Sequence, residues 1–139
     1  MQRLDDDDPE AQRIRIMEKC QTILDFMQNK DRLAGSIFAE PVDPVALNLP
    51  TYHQIISNPM DLGTIRTKMD SGEIASCDEF ARLMRLIFEN AIKFNVDPTN
   101  VVHQAAKNML ALFNQKFRDI EPKAKLPALN FRACQYKKR

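Results

Sequence analysis

The amino-acid sequence predicts an all-α protein, a four-helix bundle with a long loop between the first and second helices. Only 3 of its 139 residues are glycine, which leaves little material for the hairpin turns of a sheet. Apolar side chains recur three and four residues apart in three long segments, the spacing of a helix with one buried face. The hydrophobic content of 44% is typical of a globular domain, so we expect one domain with a tail at either end.

Asp8 and Pro9 predict the start of the first long helix. Aspartate is a good N-cap residue, and proline is favoured at the first helical position. The acidic residues 1–8 are assigned to an N-terminal tail. The helix is predicted to reach about Asn29, and its apolar face contains Ile16, Cys20, Ile23, Leu24 and Met27.

Residues 30–61 lose the helical period but keep many large apolar side chains, which predicts a packed loop. Each proline in this segment restricts its own backbone and that of the residue before it. A loop of about thirty residues inside a compact domain is usually functional or packed by its own side chains. We therefore expect a stiff, functional loop, with prolines at Pro41, Pro44, Pro50 and Pro59.

Two helices are predicted after this loop. Asp61 is the expected N-cap of a short helix that ends at about Asp70. Ser76 and Glu79 form the S-x-x-E pattern of a capping box, which predicts the start of the second long helix. The apolar face of that helix contains Phe80, Leu83, Met84, Ile87, Phe88, Ala91 and Phe94.

The segment from Asn95 to Pro98 ends the second long helix, and Thr99 is the expected N-cap of the last one. This last helix is expected to end at Pro122, with Ile120 on its apolar face. Together the helices define a predicted domain over residues 9–121. Residues 122–139 contain Lys and Arg but no Asp or Glu, and they are assigned to a basic C-terminal tail.

The short connection at Asn95 predicts antiparallel neighbours, so the long loop and this connection lie at the same end of the bundle. A pocket at that end would have mostly apolar walls and one polar anchor, Asn95. Without this context, an asparagine at a helix end is most often a left-handed cap or a turn residue, and the loop side chains can simply close the bundle. The predicted walls are Phe38, Val42, Leu47, Leu49 and Tyr52, with Val101 on the side of Asn95.

Two stretches resemble a known family. PVDPVALNLPTYHQIISNPMDLGTIRTKM resembles the long loop and the following short helix of bromodomains, and FENAIKFN resembles the end of their third helix. The resemblance covers about Met17 to Ile120 and is to the type of bromodomain found in tandem in the BET proteins. It implies a left-handed four-helix bundle that binds N-ε-acetyl-lysine, chiefly in histone tails, for chromatin recruitment and transcription regulation.

The resemblance also implies a role for each matching residue. Asn95 would donate its amide N–H to the acetyl carbonyl, and Tyr52 would hold a water that bridges to the same oxygen. Phe38 would pack against the acetyl methyl group, and Val101 would be the gatekeeper at the start of the last helix. The residues that would line the rest of the channel are Val42, Leu47 and Leu49.

Two positions depart from the family pattern. Ser36 stands where BET members carry a tryptophan, so the aromatic shelf outside the pocket is missing. Phe94, which is also a predicted site residue, stands where a tyrosine is frequent, which removes a hydroxyl group while the ring can still pack. These departures leave open a second interpretation, a helical protein-interaction domain with a degenerate acetyl-lysine pocket.

The charge distribution favours a basic peptide over nucleic acid as the ligand. Residues 31–121 are mildly acidic, whereas binding to phosphates needs clustered Lys and Arg. Nucleic acid is therefore expected only as an additional partner of the basic tail. Three acidic residues near the pocket rim would attract a basic histone tail, namely Glu40, Asp43 and Asp97.

Several other classes of protein are disfavoured. The cysteines show no CxxC spacing, and Cys77 is interpreted as a small surface residue. His53 and His103 lack a pattern of metal ligands, so we expect neither metal nor cofactor. No catalytic triad or carboxylate pair indicates an enzyme, and no apolar run or secretion signal indicates a membrane or secreted protein. The expectation is a monomeric, nuclear protein.

Overall fold

Five α-helices are present in residues 8–120, the part of the chain that this computed structural model describes. No strand occurs within these residues. Most of the predicted acidic tail, the whole basic tail and Pro122 lie outside the described range. The helices are α1 (Pro9–Leu33), α2 (Tyr52–Ile55), α3 (Leu62–Asp70), α4 (Cys77–Phe94) and α5 (Val101–Phe117).

The first helix begins where the sequence predicts but extends beyond the predicted end at Asn29. The Asp8 side chain accepts a hydrogen bond from the backbone N–H of Glu10 at 3.2 Å, which confirms the cap. Asp31 follows Met27 by one helical turn and is only 1% exposed, so a carboxylate occupies a position on the buried face. The apolar period therefore stops before the helix does.

Local caps determine the starts of α3 and α4, as predicted. Asp61 Oδ2 accepts a hydrogen bond from the backbone N–H of Thr64 at 2.8 Å. Ser76 Oγ accepts one from the backbone N–H of Glu79 at 3.1 Å. These bonds satisfy N–H groups that have no partner inside the helix, which is why short-range patterns predict helix starts well.

The start of α5 differs from the prediction, because Thr99 is not its N-cap. Asn100 Oδ1 accepts hydrogen bonds from the backbone N–H groups of Val102 and His103, at 2.8 and 3.1 Å. Thr99 instead donates its backbone N–H and its hydroxyl to Asp97 Oδ1, at 2.9 and 2.8 Å. Competition from the Asp97 carboxylate therefore moves the cap one residue along the chain.

The last helix also ends earlier than predicted, at Phe117 rather than near Pro122. Residues 118–120 form a turn, in which Ile120 donates its backbone N–H to the Phe117 carbonyl at 2.9 Å. Ile120 is only 3% exposed. Ile120 is therefore buried as part of this turn, and its apolar side chain does not indicate that the helix continues.

The short helix α2 lies within the segment that the sequence predicts as a loop. Its four residues form a single turn, which is too short to show an apolar period. Contact with α4 holds this turn in place, and the side chain of Tyr52 is buried. The long loop thus carries one helical turn that presents an aromatic ring to the end of the bundle.

The core lies between α1, α3, α4 and α5, and the contact between α4 and α5 is the most extensive. Cys77 belongs to this core near Cys20, so its assignment to the surface was wrong. Full burial of one large apolar side chain contributes about 1.5–3 kcal/mol. The fully buried aromatic residues are Phe80, Phe88, Phe113 and Phe117.

No helix of the described chain is long and apolar enough to cross a membrane.

Candidate functional site

A cavity of about 140 Å³ lies between the long loop, the end of α4 and the start of α5. Seven of the eight predicted site residues line it, namely Phe38, Val42, Leu47, Leu49, Tyr52, Phe94 and Asn95. Their contact with a ligand stays a prediction. The remaining lining residues, which the sequence did not single out as walls, are Ile37, Glu40, Met60, Ile87, Ala91 and Val102.

The eighth predicted residue, Val101, lies outside this lining. Its side chain is 73% exposed, and the adjacent Val102 lines the cavity instead. Consecutive residues of a helix point about 100° apart, so only one of the two valines can face the cavity directly. Val101 is the first residue of α5, and its predicted role as gatekeeper stays a prediction.

Asn95 is the C-cap of α4, where its backbone has φ −100° and ψ 75°. This is not a left-handed conformation, so the interpretation as a left-handed cap is wrong. Its backbone N–H and its side-chain Nδ2 both donate to the carbonyl of Ala91, each at 2.9 Å. The amide nitrogen carries two hydrogens. One of them makes this bond and orients the side chain along α4, and Asn95 also lines the cavity.

His103 holds the Asn95 backbone from the start of α5. Its ring Nδ1 lies 2.6 Å from the Asn95 carbonyl oxygen, and the residue is only 7% exposed. The neighbouring Gln104 donates from Nε2 to the Pro98 carbonyl at 3.0 Å. Two side chains of α5 therefore secure the connection that carries the anchor. The sequence analysis considered His103 only as a metal ligand and disfavoured that role, and nothing in the local pattern indicates this contact.

Tyr52 and Phe94 form an aromatic corner of the cavity. Their ring centroids are 5.0 Å apart at an interplanar angle of 63°, an edge-to-face arrangement. Burial raises the pKa of the Tyr52 hydroxyl above its ordinary value of 10.0. The phenol therefore stays protonated at neutral pH and can both donate and accept hydrogen bonds.

Contacts with three helices hold Phe38 in place. Its ring packs edge-on against Phe88 with centroids 5.2 Å apart. Its backbone N–H donates to Asp31 Oδ1 at 2.9 Å, and its carbonyl accepts from the backbone N–H of Leu62 at 2.9 Å. The end of α1 and the start of α3 thus position this wall residue together.

Two residues that support this wall were not predicted. Burial raises the pKa of the Asp31 carboxyl, while hydrogen bonds from the backbone N–H groups of Phe38 and Ile37 act to lower it. Gly63 donates its N–H to the Ala39 carbonyl at 3.0 Å, and a Cβ added there would lie 2.8 Å from that oxygen. The close approach of α3 to the loop therefore requires a glycine.

This arrangement suits a neutral, slender ligand with a terminal carbonyl group. Apolar and aromatic side chains supply most of the walls, and Asn95 supplies an amide N–H. No group of three or more His, Cys, Asp or Glu residues that could hold a metal ion occurs between residues 8 and 120.

Comparison with known proteins places this cavity in a familiar fold. The family model described as Bromodomain matches residues 20–108. The second bromodomain of Candida albicans Bdf1, solved with a bound imidazopyridine, superposes with a TM-score of 0.67 and is 34% identical. The match covers 72% of this chain and 94% of that one.

Relatives in two other organisms agree with this match. Bromodomain-containing factor 1 of Saccharomyces cerevisiae is 38% identical over 113 residues, which is 80% of this chain and 16% of that protein. Transcription factor GTE10 of Arabidopsis thaliana is 40% identical over 108 residues, which is 78% of this chain and 10% of that protein. The chain therefore spans less than a fifth of the length of either relative.

The chain belongs to the bromodomain family and has its left-handed helical bundle. The predicted family and fold class are thereby confirmed. The relatives also support the predicted likeness to BET-type members.

Proposed function

We propose that this protein is a reader module that binds N-ε-acetyl-lysine in histone tails or other acetylated proteins. The observation that carries this proposal is the position of Asn95, which lines a largely apolar cavity and has its amide held by a hydrogen bond to the Ala91 carbonyl. Membership of the bromodomain family, whose members are non-catalytic readers, supports binding without catalysis. The relative named as a transcription factor supports a nuclear role in transcription regulation.

Discrimination against unmodified lysine follows from the chemistry of the walls. Acetylation replaces an ammonium group with a neutral amide whose carbonyl can accept from Asn95. Unmodified lysine would lose the hydration of its charge in the apolar slot, which costs several kcal/mol. It would also leave the Asn95 N–H without a partner, at about 1–3 kcal/mol if that group is buried.

Affinity for a single mark is expected to be modest. Each buried methylene contributes about 0.8 kcal/mol, and one neutral hydrogen bond adds about 1 kcal/mol. These gains barely exceed the cost of immobilising a peptide. We expect a dissociation constant on the order of tens of micromolar to millimolar.

The proposal assigns binding to residues 9–121 acting as a monomer, and it leaves residues 1–8 and 122–139 as charged tails. The basic tail is the only part proposed to contact nucleic acid. A salt-dependent DNA mobility shift that is lost on truncation after Glu121 would support that contact. A shift that survives this truncation would contradict it.

Titration of acetylated and unacetylated histone peptides, by isothermal calorimetry, tests the main proposal. Asn95→Ala is expected to weaken acetyl-dependent binding at least tenfold, which corresponds to about 1.4 kcal/mol. Asn108→Ala makes the same chemical change at an exposed position of α5 and should leave the dissociation constant unchanged. Equal binding of the two peptides, or full binding by Asn95→Ala, would contradict the proposal.

The alternative function is a helical interaction domain whose acetyl-lysine pocket is degenerate. Two features favour this alternative, the exposed Ser36 in place of the shelf tryptophan and Phe94 in place of a frequent tyrosine. A thermal-shift assay with a small acetyl-lysine mimic separates the two functions. Stabilisation of the wild type but not of Asn95→Ala supports the reader, whereas no stabilisation of either protein supports the alternative.

A further inference from the structure

The three acidic residues that the sequence analysis expects near the pocket rim differ in how their carboxylates are used. Asp43 Oδ1 accepts hydrogen bonds from the backbone N–H groups of Val45 and Ala46, each at 3.1 Å. Asp97 Oδ1 accepts two hydrogen bonds from Thr99, which lower the pKa of this carboxyl. Both carboxylates therefore stabilise the turns in which they lie.

Glu40 is different, because it belongs to the lining of the cavity itself. Its side chain is exposed, which places the carboxylate at the open mouth, while the half-buried Asn95 lies further in. No Lys or Arg occurs in residues 36–65, and none of the ion pairs found between residues 8 and 120 includes Glu40. The Glu40 carboxylate therefore takes part in none of the ion pairs found in the described residues, although Glu40 also lines a neighbouring groove that contains Lys68.

We propose that Glu40 selects acetylated peptides that carry an arginine or lysine two positions from the acetyl-lysine. This inference rests on the proposed function of the cavity. Side chains two residues apart in an extended peptide point to the same side, about 7 Å apart. A basic residue at that spacing lies beside the mouth while the acetyl-lysine occupies the cavity. Its cation can then pair with the Glu40 carboxylate.

The expected preference is moderate, because the carboxylate is exposed to solvent. Exposed ion pairs of this kind change an equilibrium constant by about two- to fivefold. The pairing should also weaken as ionic strength rises. Glu40 is thus inferred to determine which acetylated peptide binds, while Asn95 determines that the lysine must be acetylated.

Fluorescence-polarisation titrations with matched peptides test the role of Glu40. One peptide carries acetyl-lysine with arginine at both flanking positions two residues away, and the second replaces these arginines with glutamine. A third peptide keeps the arginines but leaves the lysine unmodified. The ratio of the first two affinities is expected to be about two- to fivefold for the wild type and close to one for Glu40→Gln.

Two further variants show whether the effect belongs to Glu40. Glu89→Gln makes the same change at an exposed position of α4 and should keep the wild-type ratio. An equal loss of preference in Asp43→Asn would assign the effect to the overall charge of the loop and overturn the inference. An unchanged ratio of the two peptide affinities in Glu40→Gln would also overturn the inference. Tight binding of the unmodified peptide would instead contradict the proposed function, so the two failures are distinguishable.

Discussion

Removal of the Asp31 carboxylate tests whether the end of α1 holds the Phe38 wall of the cavity in place. In Asp31→Ala, the backbone N–H of Phe38 loses an acceptor that lies 2.9 Å away in the buried interior. An unsatisfied buried donor costs about 1–3 kcal/mol. Each kcal/mol lowers the melting temperature of a domain of about this size by roughly 4 °C, so we expect a fall of about 4–12 °C.

Asp31→Asn separates the hydrogen bond from the charge. The asparagine oxygen can still accept from the Phe38 N–H, so we expect a clearly smaller loss of stability than in Asp31→Ala. The dissociation constant for an acetylated peptide should follow the same order, because only the alanine variant releases the loop beside the cavity. Circular-dichroism melts at neutral pH and calorimetric titrations measure the two quantities.

The pH dependence of stability gives a further check on Asp31. Burial raises the pKa of this carboxyl above its ordinary value of 3.8, so the folded state binds the proton more tightly than the unfolded state. The contribution of Asp31 is therefore most favourable at low pH and is lost as pH rises from 3.8 through the raised pKa. The stability of Asp31→Asn relative to the wild type should rise over this interval and stay constant above it.

Asp25→Ala is the matched control, because it removes an aspartate from the same helix. Asp25 pairs with Arg66 at the surface, and its side chain is 69% exposed. Exposed pairs contribute about 0–1 kcal/mol, so the melting temperature should change little. Equal losses in Asp31→Ala and Asp25→Ala would refute the role assigned to the buried carboxylate.

Two further predictions concern the supports of the cavity. Gly63→Ala should lower the melting temperature and weaken peptide binding, because the new Cβ would lie 2.8 Å from the Ala39 carbonyl. Gly72→Ala meets no atom within 4 Å but imposes strain at φ +84°, so melting and titration should show lost stability with unchanged affinity. His103→Leu removes the donor to the Asn95 carbonyl and should weaken binding by about two- to tenfold, with partial recovery in His103→Asn. Unchanged affinity in folded His103→Leu would contradict this positioning role.

Helix starts were predictable wherever the cap and its partner lie within a few residues of each other. Asp61 and Ser76 satisfy this condition, and both form the expected bonds. Thr99 shows the limit of the rule, since Thr99 and Asn100 are both good caps and the choice depends on the competing carboxylate of Asp97. Sequence spacing alone does not rank such competitors.

The end of α1 was not predictable from an apolar period, because Asp31 occupies a buried position with a charged side chain. Its partner, the Phe38 N–H, lies seven residues away in a loop of irregular backbone. The same limit applies to Gly63, whose close neighbour is a carbonyl of that loop. Such pairings depend on the path of the loop, which neither composition nor periodicity describes.

The apolar walls of the cavity were easier to predict than its polar surroundings. Large apolar residues in a loop need burial, and the end of the bundle is the nearest place to provide it. Val101 and Val102 are both apolar, and the rotation of α5 about its axis determines that Val102 faces the cavity. His103 reaches the site through tertiary placement, so local sequence gives no reason to choose it.

Asn95 caps α4 in a conformation other than the left-handed one, and it also lines the cavity. As a cap, its side chain donates to the Ala91 carbonyl, which also accepts the backbone N–H of Asn95. That bond uses one amide hydrogen and fixes the direction of the other. A free side chain would lose rotamer entropy on binding a ligand, whereas this one is already ordered by the helix. Under the proposed function, the capping bond would contribute to recognition by holding the Asn95 amide in one orientation at the cavity wall.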